Sequence, residues 1–187
     1  MKELKLTLDL PQSVNHIYAR NKFGSTYLKK EGRDYKKINA NYIKEQVKKQ
    51  GWEKLLENEY CYLDEIVYMN KKGRDSDNLK KLTQDTITES DVVWFDDTYC
   101  LPRTNRIYID SEYPRIEIII TSTETKGIFD DEEQYLNFES NCKCCSNYRN
   151  GSCSKLKKAL ENRIQKEIII NNDNNKWVCT SYKLKNK

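Results

Sequence analysis

Apolar and polar residues alternate at the start of the chain, which is the pattern of a β-strand with one buried face. Four leucines hold every second position until a proline ends the run: Leu4, Leu6, Leu8, Leu10 and Pro11. A second strand is predicted over residues 59–69, which are rich in aromatic and β-branched side chains. This strand leads directly into residues 70–97, which we call the acidic stretch because aspartates are concentrated there.

Two segments repeat apolar residues at the spacing of a helix. From Arg33 to about Gln50 the buried face is predicted to include Ile38 and Val47, and Gly51 provides a stop. Another helix is predicted over residues 78–88, within the acidic stretch.

A hairpin is predicted farther along the chain, with strands at residues 104–109 and 115–121 and a turn that contains Pro114. In this pairing Ile107 and Ile109 lie opposite the isoleucines of the second strand. The chain is thus predicted to have an α+β fold, in which a small mixed or antiparallel sheet of about four strands packs with two or three helices.

The composition indicates a folded protein of the cytoplasm. The first residues lack the apolar core of a signal peptide, and no run approaches the roughly 18 apolar residues of a membrane span. The seven cysteines are then expected to be thiols or metal ligands rather than disulfides. Cys61 and Cys100 stand alone and are expected to be packing residues.

Charge is segregated along the chain. Residues 1–50 carry 12 Lys and Arg against 5 Asp and Glu, residues 51–125 carry 9 against 16, and residues 126–187 carry 12 against 8. Basic flanks around an acidic middle suit a protein that holds a polyanion while a carboxylate-bound metal acts on it. Ordinary solvated lysines produce the same pattern, so charge alone does not decide.

The acidic stretch has the composition of a metal site. In an extended Asp-x-Asp segment, Asp75 and Asp77 lie on the same side and can share a hard cation such as Mg²⁺ or Mn²⁺. Asp77, Lys81 and Asp85 follow at i, i+4 and i+8, so Lys81 is held beside the carboxylates and Asp85 is its expected partner.

A third ligand is expected from the acidic pair Asp96 and Asp97, and spacing alone leaves the choice between them open. Each element also has an ordinary explanation: Asp77 as a helix cap, Lys81 and Asp85 as a helix ion pair, and Asp96–Asp97 as a turn. Only their combination favours a metal site.

These residues resemble the RusA-type Holliday junction resolvases, small dimeric endodeoxyribonucleases of phage and prophage origin. The resemblance covers about residues 3–122 and rests on four features: Arg74-Asp75-Ser76-Asp77-Asn78-Leu79, Lys81, Asp85 and Trp94-Phe95-Asp96-Asp97. It implies Mg²⁺ bound by Asp75, Asp77 and Asp97, and a requirement for Lys81 in cleavage.

The resemblance also implies partners. The substrate would be four-way or otherwise branched DNA in recombination and repair, and the enzyme would be a homodimer because a four-way junction needs two symmetric cuts. The expected DNA-binding residues are Arg20, Lys22, Lys29, Lys30, Lys71, Lys72 and Arg74.

The last third of the chain is rich in cysteine. We predict a nuclease domain at residues 1–125, a linker near residues 122–130, a tail at residues 126–187 and a basic helix at residues 155–166. The tail is predicted to bind Zn²⁺ through four cysteines, with Cys144 spare: Cys142, Cys145, Cys153 and Cys179. An iron–sulfur cluster and unliganded thiols are the alternatives.

The leading hypothesis is therefore a Mg²⁺-dependent endonuclease that resolves four-way DNA junctions. One alternative is a non-catalytic, zinc-containing nucleic-acid-binding protein, in which the acidic stretch is an evolutionary relic or an electrostatic switch. The other is a metal-dependent phosphohydrolase of nucleotides.

Overall fold

The structure is a computed structural model that describes residues 2–11, 14–73, 77–171, 174 and 176–185, without the side chains of residues 14, 15, 77 and 78. The chain divides into two compact units. We call Met1–Ser122 the N-terminal unit and Thr123–Lys187 the C-terminal unit. In the described residues, no helix is both long enough and apolar enough to cross a membrane.

The N-terminal unit is built on a four-stranded mixed sheet, which confirms the predicted α+β class. Its elements in chain order are β1 (Glu3–Asp9), α1 (Val14–Ile17), β2 (Tyr18–Arg20), β3 (Thr26–Leu28), α2 (Lys30–Gln50), β4 (Cys61–Met69), α3 (Asp77–Ser90), a 3₁₀ helix (Asp97–Tyr99), β5 (Cys100–Ile109) and β6 (Arg115–Ser122). The sheet order is β1-β6-β4-β5. The strands β1, β6 and β4 pair antiparallel, whereas β4 and β5 pair parallel.

Alternation places the core on one face of this sheet. The leucines of β1 at positions 4, 6 and 8 are buried, and β4 buries every second side chain from Cys61 to Met69. The predicted strands over residues 4–10 and 59–69 are thus confirmed. Cys61 and Cys100 are buried free thiols at paired positions of β4 and β5, so they are packing residues as predicted. Burial and a hydrogen bond to Cys100 both raise the pKa of Cys61, with the hydrogen bond the larger cause.

Both predicted helices are present. Helix α2 ends at Gln50 because Gly51 adopts a left-handed conformation with φ of 67° and donates its N–H to the Val47 carbonyl. Ile43 and Val47 of α2 are buried, but Ile38 is 65% exposed, so its predicted burial was wrong. Leu79, Leu82 and Ile87 bury one face of α3.

The predicted hairpin between residues 104–109 and 115–121 was wrong. The strand β4 lies between β5 and β6 and pairs with both, so β5 and β6 are joined by a short turn without being neighbours. Ile107 and Ile109 therefore do not face the isoleucines of β6, and each is about half exposed. Parallel pairing of β4 with β5 requires a crossover connection, and the acidic stretch fills it.

The C-terminal unit has a core of its own. It contains α4 (Glu132–Lys143), α5 (Ser154–Leu160), β7 (Ile168–Asn171) and β8 (Lys176–Cys179), with β7 and β8 paired antiparallel. Phe129 is fully buried, and its ring centroid lies 5.2 Å from that of Phe138 and 5.6 Å from that of Trp177. The predicted linker at residues 122–130 was therefore wrong at Phe129, which belongs to this core.

Two backbone features of the C-terminal unit could not be read from the sequence pattern. The predicted helix at residues 155–166 ends earlier, at Leu160, and Asn162 takes a positive φ of 57°. Gly127 also has a positive φ, and a Cβ at this position would lie 2.3 Å from the Ala159 carbonyl oxygen. Only glycine therefore allows the chain to pass this close to α5.

Candidate active site

Three carboxylates of the acidic stretch lie near one another where α3 contacts the 3₁₀ helix, but within the described residues no three such side chains converge closely enough to hold a metal ion. Asp85 lies on α3, whereas Asp96 and Asp97 lie at the start of the 3₁₀ helix. Partial burial and the negative charges of Asp96 and Asp85 hold the pKa of Asp97 above its usual value. Crowded carboxylates of this kind repel one another, and a bound cation relieves the repulsion.

Asp96 and Asp97 have different positions and hydrogen bonds. The Oδ1 of Asp96 accepts a hydrogen bond of 2.9 Å from the N–H of Thr98 and thereby caps the 3₁₀ helix. This N–H is also the largest cause of the lowered pKa of Asp96. Asp97 is the first residue of the 3₁₀ helix; its carboxyl group is hydrogen-bonded to Asp96, and the Asp85 charge also acts on it.

The other predicted residues of the active site lie just before α3 or in its first two turns. Arg74 and Asp75 lie outside the described residues, as does the side chain of Asp77, the first residue of α3. Lys81 is exposed, one helical turn from Asp77 and one from Asp85. The structure thus brings Asp85 and Asp97 together and leaves the predicted Asp75–Asp77 pair without a description.

The expected partnership of Lys81 with Asp85 was wrong for the described residues, where Lys81 forms no ion pair. Asp85 instead accepts a long hydrogen bond of 3.4 Å from the hydroxyl of Tyr18 on β2. Burial and the Asp85 charge both raise the pKa of Tyr18. Tyr18 escaped the sequence analysis because no spacing along the chain connects it with Asp85.

An ion pair links α2 to the neighbouring part of α3. The Nζ of Lys36 on α2 lies 2.6 Å from a carboxylate oxygen of Glu89, and the Lys36 side chain is largely buried. The Glu89 side chain is 53% exposed, so the pair remains partly open to solvent and adds only modestly to the contact between α2 and α3.

The predicted DNA-binding residues fall into two groups. Arg20 ends β2, Lys22 lies in the turn after it, and Lys29 and Lys30 begin α2. Lys71 and Lys72 lie in the segment that follows β4. All six are exposed, and the seventh predicted residue, Arg74, is outside the described part.

In the C-terminal unit, the four predicted zinc ligands line one cavity of about 370 Å³, which we call the cysteine cavity. They are Cys142, Cys145, Cys153 and Cys179. Cys144, predicted to be spare, is exposed and does not line it. Within the described residues, no three His, Cys, Asp or Glu side chains converge closely enough to hold a metal ion. The thiols therefore share a cavity without forming a closed ligand cluster.

Backbone amides approach two of these sulfurs. The N–H of Leu156 lies 3.4 Å from the Cys153 Sγ, and the N–H of Lys183 lies 3.4 Å from the Cys145 Sγ. Burial and the three neighbouring thiols raise the pKa of Cys142 to about 12. Burial acts in the same direction on the pKa of Cys145, but hydrogen bonds led by the Lys183 N–H outweigh it and lower that pKa.

Comparison with known proteins identifies the N-terminal unit. The family model described as Endodeoxyribonuclease RusA matches residues 10–121, which is more than half of the chain and includes the whole acidic stretch. No curated protein matches the chain. Nucleases of this family typically depend on a divalent metal ion. The chain belongs to the RusA endodeoxyribonuclease family and is an endonuclease of the Holliday junction resolvase type.

Proposed function

We propose that this endonuclease uses Mg²⁺ or Mn²⁺ to make paired, symmetric cuts in four-way DNA junctions, and that it acts as a homodimer. One observation carries the proposal: the family match spans the acidic stretch, where the folded chain brings Asp85 and Asp97 together. We also propose that the protein has a phage or prophage origin, as the family that it resembles does.

Asp75, Asp77 and Asp97 are the proposed metal ligands. The capping role of Asp96 supports Asp97 as the third ligand, because the Asp96 carboxylate already holds the N–H of Thr98. A set of carboxylate oxygens suits Mg²⁺ or Mn²⁺. When bound, the metal ion would activate water and neutralise charge on the scissile phosphate.

Lys81 is the proposed electrostatic catalyst. Its ammonium group is exposed on α3, one turn from Asp77, and it forms no ion pair among the described residues. A free ammonium group can stabilise the negative charge that develops on the phosphate in the transition state. Asp85, held by Tyr18, is a positioning residue in this proposal.

An exposed edge supports the proposed homodimer. In the described residues, β5 lies at the edge of its sheet and pairs with β4 alone. It also exposes apolar side chains, including Leu101, Ile107 and Ile109. An edge strand with exposed apolar residues favours association with a second chain. Two symmetric cuts require two active sites, which a dimer with twofold symmetry supplies.

The test is cleavage of a synthetic four-way junction with Mg²⁺, in which we expect two symmetric nicks. Asp75→Asn should bind the junction but not cut it. The matched control is Glu45→Gln, the same loss of charge at an exposed position of α2, which should cut like the wild type. Cutting by Asp75→Asn at the wild-type rate would refute the proposed site.

We also propose that the C-terminal unit binds Zn²⁺ through the cysteine cavity. The support is the donor set: four cysteines line one cavity, and amide N–H groups approach two of the sulfurs. Four cysteine thiolates are a common ligand set of structural zinc. Metal analysis of protein prepared without chelators should find one zinc ion per chain, retained by Cys144→Ser and lost by Cys142→Ser. Absence of both zinc and iron from the wild type would refute a metal site.

A further inference from the structure

The β2–β3 hairpin (Tyr18–Leu28) has a well-defined turn. The N–H of Asn21 donates to the Ser25 carbonyl at 2.9 Å, and the N–H of Gly24 donates to the Asn21 carbonyl at 3.0 Å. The Asn21 side-chain oxygen also accepts hydrogen bonds from the N–H groups of Phe23 and Ser25. Gly24 has a φ of 83°, which favours glycine at this position. These contacts fix the backbone on both sides of Phe23.

Phe23 projects from this turn with 81% of its surface exposed. The Nζ of Lys22 lies 5.1 Å from the centroid of the Phe23 ring, and Arg20 is exposed on the adjoining strand. The ring adds little to the core of the N-terminal unit because it is almost fully solvated. An aromatic face beside cations is the combination that binds a nucleic acid base and its neighbouring phosphates.

The hairpin begins beside the proposed active site. Tyr18, its first residue, contacts Asp85, and the Asp85 charge acts on Asp97. Phe23 follows Tyr18 by five residues, which span at most about 18 Å. Successive nucleotides of one DNA strand are spaced about 3.4 Å along the helix axis. The backbone of Phe23 therefore lies within about five nucleotide spacings of Tyr18, whose side chain contacts Asp85.

We propose that Phe23 stacks on an unstacked base at the branch point of the DNA junction, and thereby lets the enzyme distinguish branched DNA from linear duplex. This inference rests on the proposed junction-cutting function. In a linear duplex each base is stacked on its neighbours, whereas a branch point interrupts this stacking and exposes a base face. Lys22 and Arg20 bind phosphates, which both kinds of DNA offer, so Phe23 supplies the preference.

The experiment compares the affinities for a four-way junction and for a linear duplex of the same sequence, in buffer without Mg²⁺ so that no cutting occurs. Stacking of one base on an aromatic ring is worth about 1–3 kcal/mol, so Phe23→Ala should weaken junction binding by about fivefold to 150-fold. Its duplex binding should stay within about twofold of the wild type. Phe23→Trp should retain the preference for the junction because tryptophan also presents an aromatic ring on which a base can stack.

Two control variants separate stacking from charge and from general apolar contact. Lys22→Ala should weaken junction and duplex binding alike and reduce the salt slope by about 1. Ile38→Ala, which shortens another exposed apolar side chain, should change neither affinity. A 2-aminopurine probe at the branch point should change fluorescence on binding the wild type and Phe23→Trp, but not on binding Phe23→Ala.

Loss of junction preference together with the 2-aminopurine signal supports the inference. It is overturned if Phe23→Ala keeps the preference, if it weakens both DNA forms equally, or if its only effect is on the oligomeric state. The proposed function is judged separately, by Mg²⁺-dependent cleavage with the wild type. Wild-type cleavage with an unaltered Phe23→Ala preference would refute the stacking role alone. A lost preference without cleavage would refute the proposed function and leave the stacking role supported.

Discussion

The two units of the chain differ in whether the residues of the candidate site belong to the hydrophobic core. In the N-terminal unit, leucines and isoleucines form the core, while Lys81, Asp96 and Asp97 lie at least partly exposed, outside it. In the C-terminal unit, Cys142 belongs to the core itself and also lines the cysteine cavity. Function and stability are therefore separable in the N-terminal unit and joined in the C-terminal unit.

This difference follows from size and composition. The N-terminal unit has a four-stranded sheet with a helix-covered apolar face, which gives a core large enough to leave polar residues free for chemistry. The C-terminal unit has a small core centred on Phe129 and Phe138, and its cysteines fill part of that volume. A bound metal ion therefore contributes a larger share of the folding free energy in a small unit than in a large one.

Removal of metal should have the largest effect and should separate the units most clearly. Structural zinc in zinc fingers contributes about 10–16 kcal/mol, so a chelator or Cys142→Ser should unfold the C-terminal unit. Hydrogen exchange followed by mass spectrometry should show lost protection in β7 and β8 and retained protection in β1, β4 and β6. Cys144→Ser is the matched control and should exchange like the wild type. Unchanged exchange in β7 and β8 after chelation would mean that the cysteines serve only in packing.

Phe129→Ala tests the apolar half of the C-terminal core. Truncation of a buried phenylalanine costs about 3–5 kcal/mol, and the loss should fall on the C-terminal unit. Denaturant titration monitored by hydrogen exchange in β7 and β8 would measure it. Ile164→Ala is the control because that side chain is 83% exposed, and its effect should stay within about 0.5 kcal/mol. A similar loss from both variants would show that Phe129 is not a core residue.

Asp97→Asn should reduce function in the N-terminal unit without unfolding it. Loss of one metal ligand should slow cleavage by about 10²–10³-fold, which corresponds to about 3–4 kcal/mol of transition-state stabilisation. Asp96→Asn should stay within about tenfold of the wild type, because asparagine caps a helix as well as aspartate does. Single-turnover cleavage at fixed Mg²⁺ measures both variants. The reverse ranking would assign the ligand role to Asp96.

The smallest expected effect concerns Asp110, which holds the turn between β5 and β6. Its Oδ1 accepts the N–H groups of Glu112 and Tyr113, and the Tyr113 N–H is the largest cause of its lowered pKa. A lowered pKa means that the stabilisation is present above the unfolded-state value of about 3.9 and is lost as the pH falls through the folded-state value. Asp110→Asn should therefore be slightly less stable than the wild type at pH 7, with the difference narrowing below about pH 4.

Thermal unfolding across this pH range measures the effect, with the exposed Asp34→Asn as control. A stability difference that stays constant with pH would contradict the assigned role of Asp110. We expect the apolar core of the N-terminal unit to stay intact in both variants, because its polar residues lie outside that core.

Periodic patterns determined most of the N-terminal fold in advance. Alternation identified β1, aromatic and β-branched composition identified β4, and helical spacing identified α2 and α3, because each of these elements buries one regular face. The pairing of β5 was mispredicted, since neighbouring strands along the chain were assumed to pair. The C-terminal core was missed because Phe129, Phe138 and Trp177 are far apart in sequence and follow no common period.

The candidate site was predictable in residue type but not in arrangement. Spacing left the choice between Asp96 and Asp97 open and the family resemblance implied Asp97; the hydrogen bond that makes Asp96 a cap supports the same proposal. The contact between Tyr18 and Asp85 arises only when β2 is brought against α3 by folding. Contacts of this kind depend on tertiary structure and leave no local signal in a single sequence.

The parallel pairing of β4 with β5 also bears on the order of folding. Cys61 and Cys100 are paired positions separated by the entire acidic stretch, so a long loop must close before β5 can dock. Closing a long loop has a high entropic cost, and such pairings form late relative to local structure. Asp97 begins the 3₁₀ helix that leads into β5, so we expect the acidic stretch to be completed only when this strand joins the sheet. A newly made chain should accordingly acquire cutting activity as one of the last events of its folding, after the helices that bear Lys81 and Asp85 have formed.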